Sequence, residues 1–307
     1  MFRFPPPLAA LLTAGTLVAA RPALHAAGST TTQTTRPFFW QNSMNVFRRF
    51  AVDRAKMIEF YGDVLGLKPL QTFELGGGTQ MTRFGVGTSE VKLTTRVSSK
   101  QYQPGGVKTA VGLRLFTFFI ADEVSLVERF TKHGLAAPQF RVRKADGARV
   151  AMLPDPDGQW VQLVVMPNAS PSILNSIEVG ITVSDLEKSR AFYRSFVGLD
   201  ELPPVEDDSI GAMTYPFRHG TTTIKLWTFG KDLPVDTGSA GIQYVVWKVD
   251  AVDALARERH IAVDQPLRGE ASAALRTIWL MDPDGVTNYF AETTRARQDG
   301  RLVVESR

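Results

Sequence analysis

The sequence of 307 residues contains no cysteine and only four histidines. The absence of cysteine excludes disulfide bonds, thiolate catalysis and cysteine-ligated zinc. The protein must therefore be stabilised by its core alone. Hydrophobic residues make up 44% of the chain and charged residues 21%, which are ordinary values for a globular protein.

The sequence also lacks a strong excess of either charge. The formal net charge is +4, and it falls to +2 if the segment that carries Arg3 and Arg21 is removed. No basic run interleaved with aromatic residues is present. These features give no support to a nucleic-acid partner.

One sustained apolar run stands near the start of the chain, at Leu8–Ala20. Arg3 precedes it and small residues follow at positions 26–28, a pattern that predicts a secretory signal over residues 1–27. Cleavage after Ala20, an uncleaved anchor and a disordered tail stay open as alternatives. The run is short for a membrane span. We therefore expect a secreted or periplasmic protein with no stable membrane insertion after cleavage.

The chain repeats itself with a period of about 130 residues. Four phrases recur in the same order: "EFYGDVLGL" at Glu59 and "AFYRSFVGL" at Ala191, "GTSEVKL" at Gly87 and "GTTTIKL" at Gly220, "VGLRLFTFF" at Val111 and "AGIQYVVWK" at Ala240, and "LPDPDGQWVQL" at Leu153 and "LMDPDGVTNYF" at Leu280. Four ordered matches indicate an internal duplication.

Within each repeat the pattern strand, helix and several strands occurs twice. In the second repeat, Ser184 and Glu187 predict a capping box at the start of a helix, Gly198 predicts its end, and Asp250 predicts the start of another helix. The chain is thus predicted to be an α+β protein of four βαβββ units. We expect a flexible leader over 28–42, a first domain over 43–167, a linker over 168–175, a second domain over 176–293 and a loose tail over 294–307.

These motifs resemble the vicinal oxygen chelate superfamily, which groups glyoxalases, bleomycin-resistance proteins and extradiol dioxygenases. A strand, a helix ending in "FY" and "GL", and a late "DPDG" strand mark that family, and all appear here twice. The resemblance implies two tandem domains with cupped mixed sheets, each domain pairing its own two units as in extradiol dioxygenases. It also implies a small-molecule ligand, a divalent metal in many members, and a monomer or homodimer.

The resemblance further implies three metal-ligand positions in each domain. In the second domain they fall on Glu178, on Tyr244 (or Gln243 if the strand register slips by one residue) and on Tyr289. In the first domain they fall on Val46 or Phe47, on Leu115 beside Arg114, and on Gln162. Neither set contains the usual histidines. The sequence therefore predicts no metal and no other cofactor, with a divalent metal at an atypical site as the alternative.

The second domain's cup is the predicted functional site. Glu178 is a candidate general base because it is expected to lie among aromatic residues, and Tyr289 and Tyr244 could orient a carbonyl group. Strand alternation in the phrase "IKLW" places Lys225 and Trp227 on the cup side. Trp247 and His219 complete the predicted ligand-binding set, in which His219 overhangs the cup. Lys225 could pair with the glutamate.

Two classes of function follow from this site. The first is a metal-independent protein that binds a small organic molecule, and a cationic ligand would suit a carboxylate among tryptophan rings. The second is an isomerase or lyase that uses Glu178 as its base. An extradiol dioxygenase is disfavoured because its iron requires the missing histidines. The first domain's cup, assigned to Gln162 and Arg48, is interpreted as structural or vestigial, and a structural role in which both cups are idle is a third possibility. Lys92, the repeat partner of Lys225, is interpreted as a solvated lysine.

Overall fold

Each of the four repeated units folds as predicted, into a strand, a helix and a group of antiparallel strands. A computed structural model describes residues 33–75, 79–96 and 99–305, which form one compact unit from Gln33 onward. The predicted export signal lies outside these residues. No helix within them is long and apolar enough to cross a membrane.

The first half of the described chain holds two units and a short connecting helix. Its elements are β1 (Asn45–Phe50), α1 (Arg54–Ile58), β2 (Lys68–Glu74), β3 (Gln80–Val86), β4 (Ser89–Thr95), β5 (Gly112–Ile120), α2 (Glu123–Lys132), β6 (Arg141–Val142), β7 (Arg149–Pro154), β8 (Trp160–Val165) and α3 (Pro171–Leu174).

The second half repeats this order and ends in a further helix. Its elements are β9 (Ile177–Thr182), α4 (Leu186–Ala191), β10 (Asp200–Glu201), β11 (Val205–Asp207), β12 (Ala212–His219), β13 (Thr222–Trp227), β14 (Ala240–Val245), α5 (Val249–Glu258), β15 (Val263–Arg268), β16 (Leu275–Met281), β17 (Thr287–Thr293) and α6 (Thr294–Glu305). Helices α1 and α4 continue as π-helical turns at Glu59–Val64 and Phe192–Val197, and a short 3₁₀ turn spans Arg36–Phe38.

The strands form two sheets, and each sheet combines units from both repeats. The eight-stranded sheet has the order β15-β16-β17-β14-β1-β4-β3-β2, so it pairs the first unit with the fourth. The nine-stranded sheet has the order β10-β12-β13-β9-β5-β8-β7-β6, with β11 beside β12, and pairs the second unit with the third. This corrects the expectation that consecutive units share a sheet. The joining contacts are antiparallel pairs, β1 with β14 and β5 with β9.

The helix ends agree with the sequence in part. Gly198 has φ +87° and ends the helical segment as predicted. Asp185, rather than Ser184, caps α4 by accepting a hydrogen bond from the Lys188 N–H at 3.1 Å. Ser184 instead bonds Asp284 in the second DPDG turn. Helix α5 begins at Val249, one residue before the predicted cap.

The two ends of the described chain are more regular than expected. Residues predicted to form a loose tail form α6, and residues 36–38 of the predicted leader form the 3₁₀ turn. This turn packs on the second half of the chain, since the Thr35 hydroxyl donates to the Val197 carbonyl at 2.8 Å.

The helix-facing sides of both sheets share one apolar core. Inside it, the fully buried Arg48 guanidinium donates to a carboxylate oxygen of Asp155, in the first DPDG turn, at 2.7 Å. The Tyr61 hydroxyl bonds the same carboxylate at 2.9 Å, and Arg48 lies 4.1 Å from the centre of the Phe116 ring on β5. This ion pair ties β1 of one sheet to the other sheet.

The second repeat lacks the corresponding cation. Arg48 pairs with Leu93 in the first repeat, and Ile181 pairs with Leu226 in the second. Leu93 and Leu226 occupy matching positions of the repeat, so Ile181 stands where the first repeat has the arginine. Asp282 keeps the other contacts of its turn, including a bond from the Tyr193 hydroxyl at 2.9 Å. Burial without a cation raises the pKa of Asp282 from 3.8 to about 7.

Substituting Arg48→Met is expected to lower the free energy of unfolding by about 3–5 kcal/mol, because it leaves the Asp155 carboxylate buried and unpaired. Urea denaturation measures this loss. Arg149→Met, which breaks the exposed pair with Glu123, is the control and should have a much smaller effect because exposed pairs contribute little to stability. Equal effects of the two substitutions would contradict the importance of the buried pair.

The Asp282 carboxyl is expected to make stability depend on pH. Its folded-state pKa lies above its unfolded value, so the folded state holds the proton more tightly. The contribution of Asp282 to the free energy of unfolding should be fully present below about pH 4 and should be lost, by up to about 4 kcal/mol, as the pH rises to about 7. The groups that face it are Tyr193, Tyr244 and Asp284, none of them cationic. Comparing wild type with Asp282→Asn across this range isolates the effect, and a constant difference would refute it.

Candidate functional site

The eight-stranded cup is the side of the eight-stranded sheet that faces away from the helices. Side chains reach it from alternate positions on neighbouring strands. Asn45 is opposite Gln243, Gln243 is beside Tyr289, and Tyr289 is opposite Trp279. On the same face, Phe47 of β1 is beside Lys92 of β4, the neighbour of β1 on the edge away from β14. These residues form a continuous surface across five strands.

Aromatic rings form one wall of this cup. The Trp279 and Tyr289 rings stack with centroids 4.8 Å apart and planes 21° apart, and the Phe47 ring lies 5.8 Å from that of Tyr289. Phe47 fits because its strand partner is Gly241, where an added Cβ would approach the Phe47 ring to 2.3 Å. The wall is therefore closely packed.

Two buried cations, Lys92 and Arg49, also line the eight-stranded cup. Lys92 is 7% exposed, and its ammonium donates to the Gln243 side-chain oxygen and lies 3.5 Å from a carboxylate oxygen of Glu90. Burial lowers the pKa of Lys92 from 10.5 to about 8. Arg49, 4% exposed, donates to the Gly238 carbonyl at 3.0 Å and lies 4.7 Å from the Phe47 ring centre. Its pKa is also lowered by burial.

The nine-stranded cup is the corresponding side of the other sheet. Glu178 on β9 lies between Thr223 of β13 and Thr117 of β5. Thr117 in turn lies beside Gln162 of β8. Lys225 lies on the same side, and its ammonium is 2.6 Å from a Glu178 carboxylate oxygen. The sheet therefore places one carboxylate and one ammonium together in this cup.

Connecting segments fill the middle of the nine-stranded cup. Ile210, from the turn between β11 and β12, and Val107, from the segment before β5, pack on Leu115 and Trp227 as a buried apolar cluster. The same turn is held by a bond from the Gln162 amide to the Ser209 hydroxyl at 2.8 Å. The nine-stranded cup is thus plugged by its own chain.

The residues predicted for the second domain's cup are divided between the two sheets. Glu178, Lys225 and Trp227 line the nine-stranded cup, whereas Gln243 and Tyr289 line the eight-stranded cup. The structure does not bring the candidate base together with either tyrosine. They are separated because the third unit, which carries Glu178, shares a sheet with the second unit and not with the fourth unit, which carries the tyrosines.

Three other predicted residues lie outside both cups. Tyr244 points to the core side of β14, where its hydroxyl donates to the Asn288 side-chain oxygen at 3.3 Å. Gln243, named as the alternative by register, occupies the cup position. Trp247 packs on the N-terminal turn, and its indole N–H donates to the Pro37 carbonyl at 3.0 Å. His219 packs against Phe39 with ring centroids 4.3 Å apart and planes tilted by 53°.

The two residues predicted for the first domain's cup are also separated. Gln162 lines the nine-stranded cup, while Arg48 points into the core, where Asp155 is its acid partner. Arg49 is the arginine of β1 that faces a cup. The interpretation of Lys92 as a solvated lysine is wrong because this residue is buried. Lys92 matches Lys225 in the repeat, and this match could have indicated that Lys92 also faces a cup.

The donor sets of the two cups do not fit a transition metal. Asn45, Gln243 and Tyr289 offer no imidazole, and Glu90, a carboxylate beside them, is bound by Arg83 at 3.0 Å. In the nine-stranded cup, Glu178 is paired with Lys225, and Asp207 of the adjoining turn bonds Ser209 and lies 3.6 Å from Arg143. Metals such as iron, nickel or zinc prefer imidazole and carboxylate ligands. In the described part of the chain, no cluster of three or more histidine, aspartate or glutamate side chains could hold an ion. In each cup an ammonium group lies beside the carboxylate.

The chain matches the model of the Glyoxalase/Bleomycin resistance protein/Dioxygenase superfamily over residues 43–163 and 174–290. It therefore belongs to this family, as the sequence motifs indicated. No curated protein matches it.

Among solved structures, the fold is similar to glyoxalase I from Zea mays, with a TM-score of 0.63 and 19% identity over 85% of this chain and 95% of that one. It is also similar to a putative dioxygenase from Bacillus subtilis, with a TM-score of 0.57 and 14% identity over 84% of this chain and 86% of that one. At this level of identity the likeness extends to the fold alone.

Adding nickel, zinc or manganese ions to the metal-free protein is expected to leave its melting temperature unchanged, because neither cup offers a suitable ligand set. A protein stabilised by a bound ion would melt at a higher temperature as the ion concentration rises above its dissociation constant. Differential scanning fluorimetry after dialysis against a chelator makes the measurement. A saturable increase that Glu90→Gln or Glu178→Gln abolishes would contradict the assignment.

Proposed function

We propose that the protein binds a small planar organic anion in the eight-stranded cup, and that Lys92 takes the part that a metal ion takes in metal-dependent relatives. The observation that carries this proposal is the buried Lys92 ammonium, which bonds Gln243 next to Tyr289 of the stacked Trp279–Tyr289 pair. An ammonium group donates three hydrogen bonds. Gln243 and Glu90 use two of them, and the third would donate to a ligand oxygen.

The charges around the cup favour a negative ligand. Lys92, Arg49 and Arg83 contribute three positive charges, against which Glu90 contributes one negative charge. At the edge, Lys100 and Asp264 pair and cancel each other. An anion would therefore offset cations whose burial is costly. This reverses the sequence-based preference for a cationic ligand, which rested on Glu178 lying in the same cup as the aromatic residues.

The aromatic wall supports a planar ligand. A ring or conjugated system would stack against Trp279, which extends the surface formed with Tyr289 and is only partly buried. Aromatic pairs contribute about 0.5–1.5 kcal/mol beyond the area they bury. Planarity and a negatively charged oxygen together define the ligand class, exemplified by an aromatic carboxylate.

The acid–base alternative has less support. Glu178 is paired with Lys225, and its cup is filled by Ile210 and Val107. The tyrosines that would assist it lie in the other sheet or in the core. A substrate would have to displace the β11–β12 turn before its carbon acid reached the carboxylate. Binding is therefore the function that the geometry favours over proton abstraction by Glu178.

Benzoate is expected to bind with saturation, whereas cyclohexanecarboxylate, which is not planar, and benzylammonium, which is cationic, should bind more weakly. Lys92→Met should weaken benzoate binding about 10- to 100-fold, the value of one charge-assisted hydrogen bond. Affinity should also decline above about pH 8 as Lys92 loses its proton. Calorimetry or quenching of tryptophan fluorescence measures the dissociation constants.

Lys225→Met is the matched control, because it removes the equivalent ammonium from the other cup. It should change benzoate affinity by less than about twofold. Preference for benzylammonium, or an equal loss from the two lysine substitutions, would refute the proposal. Loss of benzoate binding in Glu178→Gln would return the site to the nine-stranded cup.

A further inference from the structure

A polar pocket lies on the opposite side of β14 from the eight-stranded cup. It has a volume of about 220 Å³ and is lined by the N-terminal segment, the end of the α4 helical segment and the β12–β13 turn. Arg36, Asp200, Arg218 and His219 provide its polar groups. A cavity of about 150 Å³ already accommodates benzene. The pocket is therefore large enough for a small metabolite.

His219 carries an unused hydrogen-bond acceptor at this pocket. The side chain is 6% exposed, and its Nε2 atom is itself buried in the pocket wall and has no hydrogen-bond partner, so a ligand must enter the wall to reach it. The imidazole also bonds the backbone of Gln41, and burial, more strongly than any other influence, lowers the pKa of His219 to about 4. At neutral pH the ring is uncharged, so one nitrogen carries a proton and the other a lone pair. Leaving a buried polar atom unpaired costs about 1–3 kcal/mol.

The pocket also carries one positive charge that no neighbour cancels. Arg36 and Asp200 pair with each other through both carboxylate oxygens. Arg218, exposed and without a salt-bridge partner among the described residues, contributes the remaining charge. The pocket thus combines a guanidinium donor with a neutral imidazole acceptor. Its complement is a small molecule with one negative charge and one hydroxyl group.

We propose that this pocket binds a small hydroxycarboxylate, whose carboxylate pairs with Arg218 and whose hydroxyl donates to Nε2 of His219. The hydroxyl supplies the donor that the buried nitrogen lacks, and the carboxylate balances the free guanidinium. Neither group is shared with the eight-stranded cup, because His219 packs on the ring of Tyr244, which faces the core side of β14. The site is therefore independent of the benzoate site.

Three probes separate the two interactions. Glycolate carries both the carboxylate and the hydroxyl, acetate lacks the hydroxyl, and glycolamide lacks the charge. Glycolate is expected to bind at least about 10-fold more tightly than either of the others, since each loses one hydrogen bond to a buried or charged group. In NMR spectra of protein with isotope-labelled histidine, glycolate should shift the Nε2 resonance of His219. His133 and His260 serve as internal references.

Two variants test the assigned residues. His219→Phe keeps a ring against Phe39 and removes the acceptor, so glycolate should bind no better than acetate. Arg218→Gln should lower the affinity for glycolate to that of the wild-type protein for glycolamide. The control Arg268→Gln, which removes an exposed arginine elsewhere, should leave the affinity for glycolate unchanged. An unchanged His219 resonance at saturating glycolate in the wild-type protein, or an equal response to acetate, would overturn the proposal whether or not the variants fold.

Discussion

The antiparallel pairing of β1 with β14 determines the rest of the structure. It joins the first unit to the fourth and leaves the second to pair with the third through β5 and β9. This pairing brings Asn45 and Gln243 face to face and assigns Tyr289 to the same surface as Lys92. The same constraint sends Glu178 to the other sheet. Which residues can act together follows from this choice of strand partners.

The two cups diverge from a common plan because they are filled differently. In the nine-stranded cup, Ile210 and Val107 complete an apolar cluster, and the glutamate–lysine pair remains at its margin. In the eight-stranded cup, aromatic rings and buried cations remain facing one another. The two repeats supply two equivalent surfaces, and a turn fills the middle of one of them.

The sequence predicted the fold well because its signals are local. The duplicated phrases marked all four units, and the alternation at Ile224–Trp227 correctly placed Lys225 and Trp227 on the cup side. Partner choice was not predictable, since the two repeats are alike and β1 has equivalent partners in β5 and β14. The placement of Tyr244 failed for another reason, because a shift of one residue along a strand moves a side chain to the opposite face. Asn45, Glu90 and Trp279 were missed because each becomes notable only beside its neighbours in the sheet.

The exchange of units between the repeats also affects what each half of the chain can do alone. A half-chain ending near the short α3 helix would carry β1 and β5 as free sheet edges, and free edges readily recruit other strands. Such a fragment has two ways to satisfy them: it can close β1 on β5, or it can exchange both with a second copy. The covalent link between the halves holds the partner strands at a high local concentration, so a two-chain assembly has in effect been built into one polypeptide.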